Sequence, residues 1–512
     1  MIKKLSVLAL AGLFALPSAA GAASNAELSA KIEQLTRELA QMRDQLEEQE
    51  ETFYEIEESA ESWDLASRVQ FSGDFRARYD WMEQERMTAD TWMVTPGGPF
   101  PATTTEVTDK NSGLWTTRFR LNMRVKALEN IEFKGRLAMY KAWGMQDAPA
   151  STTVWGGFPA FDGTATRQVS DSALYVDRAF VNWNNIAGQP IWFSIGRRPT
   201  TDGPAAHLRM GMDKRMATPT AYMDWPFDGI SIGYAYWNLF GINDAPGRIR
   251  VCYGRGFENG VNEEDTNYTS DTDFAGVSWD IYKKGNSLAY IQSFIAMDVF
   301  NYPDFNGMLM DMGYAGLVGD RDNIGNIYHT SAVYMDKIGD FNFFLSGGWS
   351  QTDPSDEGMF NDVIGMMMGT ATVNDDKENG YNVHAGVRYD IDNIGLKVGA
   401  EYNWGSQYWI GMTPGHDDMY SAKLAARGDV YELYMIYDLP GGEAISKFGK
   451  AFMRLGYQHY DFDYAGGMDW NMMPYELDDN TESLYAAALE AQGMMDTITE
   501  RDQVYVTFEA TF

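Results

Sequence analysis

Nine basic residues fall at alternate positions in four short stretches, and that spacing is the clearest chemical signal in the sequence. They are Arg76 and Arg78; Arg118, Arg120, Arg124 and Lys126; Lys134 and Arg136; and Arg178. A period of two is that of a β-strand, so within each stretch the cations share one face. The other face is apolar: Phe71, Phe75 and Tyr79 in the first stretch, Trp115, Phe119, Leu121 and Met123 in the second, Phe133, Leu137 and Met139 in the third. If the apolar face meets lipid, the cations must face water, because a Lys or Arg on the lipid side costs about 2–4 kcal/mol at the bilayer midplane. A wall of such residues inside a low-dielectric channel concentrates anions and sets selectivity. The competing reading pairs these cations with Asp74, Asp80, Glu132 and loop carboxylates, which would plug the lumen with salt bridges.

A second set of candidates lies in segment 199–227. Its middle part, Ala205 to Met216, has helical character; Asp202, His207, Arg209 and Asp213 are the candidates for a constriction loop, and Asp202 and Asp213 are the ones that would face the basic ladder if this segment folds inward. An exterior lid is the alternative. Catalytic residues are not expected, since the chain carries no GxSxG, HExxH or Walker A motif. No metal or other cofactor is expected either. The five histidines (207, 329, 384, 416 and 459) are far apart, and Met308, Met310, Met312, Met366, Met367, Met368, Met472, Met473, Met494 and Met495 read as flexible apolar filling. The acidic runs at 319–323 and 374–379 lack the spaced ligands of a calcium loop. The single Cys252 excludes an internal disulfide framework, a CxxCH haem site and a four-cysteine zinc site.

These side chains need a framework of strands. Period-two alternation begins at Arg68 and recurs at 68–81, 114–127, 131–143, 173–184, 190–198, 228–238, 247–256, 273–282, 287–298, 326–336, 340–350, 380–390, 394–405, 428–438, 448–461 and 502–512. The expected fold is all-β, a transmembrane antiparallel β-barrel of about sixteen strands over 64–512. Eighteen is the alternative if 144–172 or 462–501 hides a further hairpin. Tight turns such as Leu128-Glu129-Asn130 and Lys283-Lys284-Gly285-Asn286 alternate with long connections, including 82–113, 257–272 and 351–379. Short periplasmic turns and long outer loops follow that rule, with both ends of the barrel in the periplasm. In the last stretch Val504, Val506, Phe508, Ala510 and Phe512 share the outer face. Phe512 is the expected signal for the barrel-assembly machinery.

The N-terminal part reads differently. Met1-Ile2-Lys3-Lys4, the apolar stretch Leu5–Leu16 and the small residues up to Ala22 form an expected signal peptide over 1–22. Leu28, Ile32, Leu35, Leu39, Met42, Leu46 and Phe53 keep heptad spacing, so 24–62 reads as a periplasmic coiled-coil stalk that makes a homotrimer, with a helix lying on the barrel as the alternative. No run of about 18 apolar residues follows, so no spanning helix is expected. The formal charge of −33 argues against nucleic-acid binding. It suits acidic outer loops holding divalent cations beside lipopolysaccharide in the cell outer membrane.

Asp177-Arg178-Ala179-Phe180-Val181-Asn182-Trp183 followed by Trp192-Phe193-Ser194-Ile195-Gly196-Arg197-Arg198-Pro199 resembles the strand pair of Gram-negative porins, including the phosphate-selective type. Signal peptide, coiled coil, Phe71-Ser72-Gly73-Asp74-Phe75-Arg76-Ala77-Arg78-Tyr79 and Leu114–Met123 together resemble porin-like outer-membrane proteins with a coiled-coil stalk, found in delta- and epsilon-type proteobacteria. The resemblance implies a porin-like role without naming a solute. The expected function is passive or weakly selective diffusion of small hydrophilic solutes, anionic by preference. The alternatives are a porin-like sheath around a periplasmic redox or secretion partner, and an outer-membrane enzyme.

Overall fold

The computed structural model describes residues 68–512 except 96–97, 145–160, 167–168, 201, 214–218, 237–246, 261–268, 302–321, 414, 416, 442–448 and 479–480. Before residue 68 it describes only 30, 33, 34, 36 and 37. These are helical and exposed, with Glu33 and Arg37 paired one turn apart at 3.5 Å. The expected signal peptide, the body of the stalk, His416, the methionines at 308–312 and the first three residues of the run 319–323 lie outside the described residues.

Sixteen antiparallel strands close into a barrel, each paired with its neighbours in sequence and the first with the last. They are β1 (Val69–Thr95), β2 (Gly98–Lys126), β3 (Ile131–Ala142), β4 (Tyr175–Trp183), β5 (Ile191–Arg197), β6 (Asp228–Tyr236), β7 (Gly247–Phe257) and β8 (Thr272–Lys284). There follow β9 (Ser287–Phe300), β10 (Asn323–Ile338), β11 (Phe341–Pro354), β12 (Asn379–Ile391), β13 (Leu396–Gly405), β14 (Gly428–Asp438), β15 (Lys450–Phe462) and β16 (Ile498–Thr511). Segment 463–497 adds no strand to the barrel and instead carries a helix, α2 (Glu482–Glu490). A shorter helix, α1 (Val363–Met368), lies in the connection before β12.

Closure is set by alternation and by one glycine. Asp74 to Glu83 run opposite Thr511 to Asp502, and Gly73 and Phe512 exchange backbone hydrogen bonds of 2.9 and 3.0 Å. A Cβ on Gly73 would lie 2.5 Å from both the Phe512 ring and the Arg120 carbonyl, so the last aromatic side chain needs a glycine beneath it.

The two faces of the wall separate as the period requires. Phe71, Val251, Val277, Leu345 and Leu433 stand exposed on the outside, while Asp74, Arg76, Arg78 and Asp80 on β1 are buried within. Aromatic side chains mark both rims. Near the long connections Trp115 stacks on Trp143 at 5.0 Å and meets Tyr79 at a tilt at 5.1 Å, and Phe341, Tyr389 and Tyr437 are exposed near the short turns. A closed barrel leaves no strand edge unpaired, which is the condition for crossing lipid with β-structure. With an apolar outer band and aromatic rims it is a protein of the outer membrane.

One expectation is corrected. Segment 82–113 is a strand hairpin and not an irregular loop, because β1 and β2, 27 and 29 residues long, continue into it. Only ~9–11 residues of a strand cross a bilayer. Beyond the lipid both faces meet water or other loops, so the alternation that marks a lipid-facing strand fades. The Thr-rich run at 103–108 still favours extended pairing. The hairpin carries α2 against it: Phe100 meets Tyr485 edge-on at 5.9 Å, Arg86 pairs with Glu490, and Thr88 donates to Glu490 at 3.0 Å.

Candidate functional site

Strand register builds the site before any loop is considered. On the inner wall Arg76 lies opposite Arg118, Arg124 opposite Lys134, and Arg136 opposite Arg178. Like charges directly opposite on adjacent strands destabilise a sheet. Each of these three pairs holds a carboxylate. Glu132, on the wall itself, takes Arg124 and Lys134 at 2.6 Å each. The other two carboxylates come from loops.

Asp417, from connection 406–427, meets Arg76, Arg118 at 3.2 Å and Arg454 at 2.6 Å, while its backbone carbonyl accepts from Arg78 at 2.6 Å. Burial pushes the Asp417 carboxyl up, but the charges of Arg76, Arg454 and Arg118 outweigh it and hold the group well below its ordinary range. Asp202, from segment 199–227, takes Arg178, Arg136 and Arg120 at 3.0, 3.2 and 3.4 Å. Between the two lies Asp74, which accepts from Arg118 at 3.0 Å and Arg120 at 2.7 Å. Arg78 is paired side-on with Asp80, Arg136 with Asp177, and Arg118 and Arg454 with Glu509 at 3.2 Å.

Tyr505 completes this wall from β16. Its ring lies under Arg78 at 4.4 Å and Arg454 at 5.2 Å, and its hydroxyl donates to Glu432 at 2.6 Å. The ring covers Gly456, where a Cβ would collide with it.

Segment 199–227 crosses the lumen. Arg388 donates to the Leu208 carbonyl at 3.0 Å, Lys450 to that of Gly211 at 2.9 Å and Arg454 to that of Arg209 at 2.8 Å. Asp202 meets the opposite wall, β2 to β4, and further along the segment Tyr222 donates to Asn382, on the same strand as Arg388, at 2.7 Å. His207 is buried and Arg209 pairs with Asp418 at 2.5 Å and Glu432 at 3.1 Å. Asp213 is exposed, 2.9 Å from Lys397, 3.5 Å from Arg388 and 3.6 Å from Lys450. Burial alone would raise the Asp213 carboxyl, but the Lys397 hydrogen bond and the charges of Lys450 and Arg388 lower it. Here Asp213 borders a cavity of about 590 Å³ at the short-turn end, with Arg248, Asp280 and Lys337 among its walls.

The four loop residues singled out by sequence therefore reach the lumen. Of the nine wall cations, Arg76, Arg78, Arg118, Arg120, Arg136 and Arg178 share the buried network, whereas Arg124 and Lys134 meet Glu132 nearer the short turns and Lys126 is exposed. The sequence reading missed Arg388, Glu432, Arg454 and Glu509. All four stand at inward positions of expected strands, so extending the alternation from the first four strands to the last five would have found them. Nothing local marks Asp417 or Asp418, whose partners Arg76, Arg118 and Arg209 are remote in the chain.

Toward the long connections the lumen is filled by apolar packing. Phe161, Trp225, Phe227, Phe274, Phe300 and Trp470 form one buried cluster. Connections 355–378 and 463–497 pair over it: Phe360 donates to the Trp470 carbonyl at 2.9 Å and Asn361 to that of Asn471 at 2.7 Å. Next to Trp470, the buried Asp469 accepts only backbone hydrogen bonds, from Asn471 at 2.8 Å and Met472 at 3.4 Å. Burial pushes its carboxyl up to about 7, against the pull of those N–H groups and of Arg427. The folded cap thus binds a proton that the unfolded segment releases near its ordinary value of 3.8. Cap stability is then full below that value and falls as pH rises to about 7, by on the order of 1 kcal/mol per pH unit. Amide exchange across 463–497, corrected for intrinsic rates, is expected to show more opening at pH 8 than at pH 5. Asp469→Asn should shrink that step, leaving what Asp463 and Asp496, also raised by burial, contribute.

No curated protein matches the sequence. Among solved structures, the chain is similar to Salmonella typhi OmpF in complex with daunomycin at 12% identity, covering 87% of this chain and 97% of that one, with a TM-score of 0.41. It is similar to Pseudomonas putida OprB at 10% identity, 88% and 96% coverage and a TM-score of 0.40. The outer membrane channel DcaP of Acinetobacter baumannii gives 11%, 87%, 97% and 0.39. Likeness at this level carries no argument about solute or mechanism. Residues 108–512 match the family described as "Protein of unknown function (DUF3373)". That match spans most of the chain, and this protein belongs to the DUF3373 family.

Proposed function

We propose that this protein is an outer-membrane channel for small hydrophilic anions whose lumen is closed at rest by its own inserted loops. The observation that carries the reading is the arginine wall on β1 to β4. Buried ion pairs are weak contributors to stability, because removing two charges from water offsets most of their attraction. A network this large on one lumenal face is better explained by conduction than by folding. The net charge of −33 does not oppose it. Charges on outer loops are screened over about 8 Å at physiological salt, whereas the wall arginines sit inside low-dielectric walls. Liposomes carrying the purified protein are expected to swell faster in small organic anions than in cations of equal size. Equal rates, or faster cation entry, would count against the reading.

The filled lumen favours a second reading, a porin-like sheath around a periplasmic redox or secretion partner. That reading expects no permeability to any solute and a protein that co-purifies.

The heptad pattern at 28–53 supports a trimer held by the stalk. Deleting 28–53, or placing charges at Leu35 and Leu39, is expected to shift the purified protein from trimer to monomer in sedimentation while the barrel stays folded. An unchanged trimer would assign assembly to the barrel wall and the stalk to another task.

A further inference from the structure

The two loop aspartates occupy positions that a solute anion would need. Asp417 bridges the opposed pair Arg76 and Arg118, and Asp202 bridges Arg136 and Arg178. In each pair like charges face each other across adjacent strands; Asp74 and Glu509 also take Arg118 and Asp177 also takes Arg136, but it is the loop aspartate that meets both members of the pair. The third opposed pair, Arg124 and Lys134, is bridged by Glu132 from the wall itself. Only the two deeper sites are filled by carboxylates from connections, not from strands of the wall.

Charge balance shows what their departure would do. Seven arginines meet in this network: 76, 78, 118, 120, 136, 178 and 454. The wall supplies four carboxylates to them, Asp74, Asp80, Asp177 and Glu509. With Asp202 and Asp417 in place the excess is one positive charge; with both withdrawn it is three.

We infer that Asp202 and Asp417 are tethered place-holders for the charged groups of a small polyvalent oxyanion, which displaces them and thereby releases the two loops that close the lumen. The two sites are adjacent. Arg118 serves the first and Arg120 the second, two residues apart on β2 and thus about 7 Å along the strand. An anion with two or three charged groups a few ångströms apart, such as a di- or tricarboxylate or a diphosphate, can reach both. A monovalent anion fills only one and leaves the other aspartate engaged. The inference rests on the anion-channel reading and adds to it the class of solute and the means of opening.

The test uses the full-length protein in planar bilayers, with citrate, pyrophosphate or chloride added at matched ionic strength. Citrate or pyrophosphate should raise the open fraction of the wild-type channel roughly tenfold over chloride, because a ligand shifts an equilibrium by its differential affinity for the two states. A response to one and not the other would identify the carboxylate or the phosphate as the group recognised. The double variant Asp202→Asn/Asp417→Asn should be open without either. Should that variant fail to fold, the wild-type titration decides by itself. An anion-selective current that responds to neither polyanion, or a folded double variant that stays closed, would overturn the place-holder inference and leave the anion channel standing. A cation-selective current would overturn both.

Discussion

Replacing Arg118 and Arg120 together by glutamate is expected to open the lumen and turn its selectivity toward cations. These two side chains join the network at its centre, because both hold Asp74 while Arg118 also reaches Asp417 and Glu509 and Arg120 reaches Asp202. Removing one partner of a buried ion pair typically costs about 3–5 kcal/mol, since the other charge is left buried alone. The double change also places two new carboxylates beside four that are already there. The cheapest relief is for the loops bearing Asp202 and Asp417 to leave the wall, which costs no strand pairing. Single-channel recording should find a larger conductance and a reversal potential shifted in the cation direction. A variant with unchanged conductance and selectivity would mean that ions pass elsewhere in the lumen.

Trp225→Ala is expected to loosen the plug without affecting the barrel. Trp225 is fully buried, meets Phe161 edge-on at 5.5 Å and stacks near Phe227 at 6.2 Å. Its carbonyl accepts from the Thr200 hydroxyl, which ties the two ends of segment 199–227 together. Truncating a buried Trp costs about 3–5 kcal/mol through lost burial and the cavity left behind. The loss falls on the inserted segment and the cap, because Trp225 belongs to a connection and not to a strand. Heat-resistant strand signal in circular dichroism should persist, while protease cleavage in 199–227 and leak current both rise. Cleavage and leak equal to wild type would show that the plug does not depend on this cluster.

The contrast between wall and plug explains what could be read from the sequence. β12 was expected at 380–390 and runs Asn379–Ile391, and β14 was expected and found at 428–438. Such strands announce themselves because lipid on one side and polar groups on the other impose a strict period of two. Where lipid ends, the signal ends. The outer part of β1 and β2, and Ile498–Arg501 at the start of β16, were read as loops although they pair as strands. The side of each wall cation was legible for the same reason, since parity alone places Arg76, Arg118 and Arg178 inside. Their partners were not. Asp417 lies 341 residues from Arg76, in a connection with no periodicity, and only folding brings the two together. Asp202 was legible because segment 199–227 is the third long connection, where porins fold a segment into the channel, and its middle part has helical character. Connection 406–427 carries the same kind of charge but shows no helical pattern to draw attention to it.

The most direct test of the central claim is the reversal potential of the wild-type channel in a KCl gradient across a planar bilayer. The arginine wall predicts a current carried mainly by chloride despite a protein charge of −33. A current carried mainly by potassium would contradict it, and would mean that the lumenal carboxylates, not the arginines, face the path of the ions.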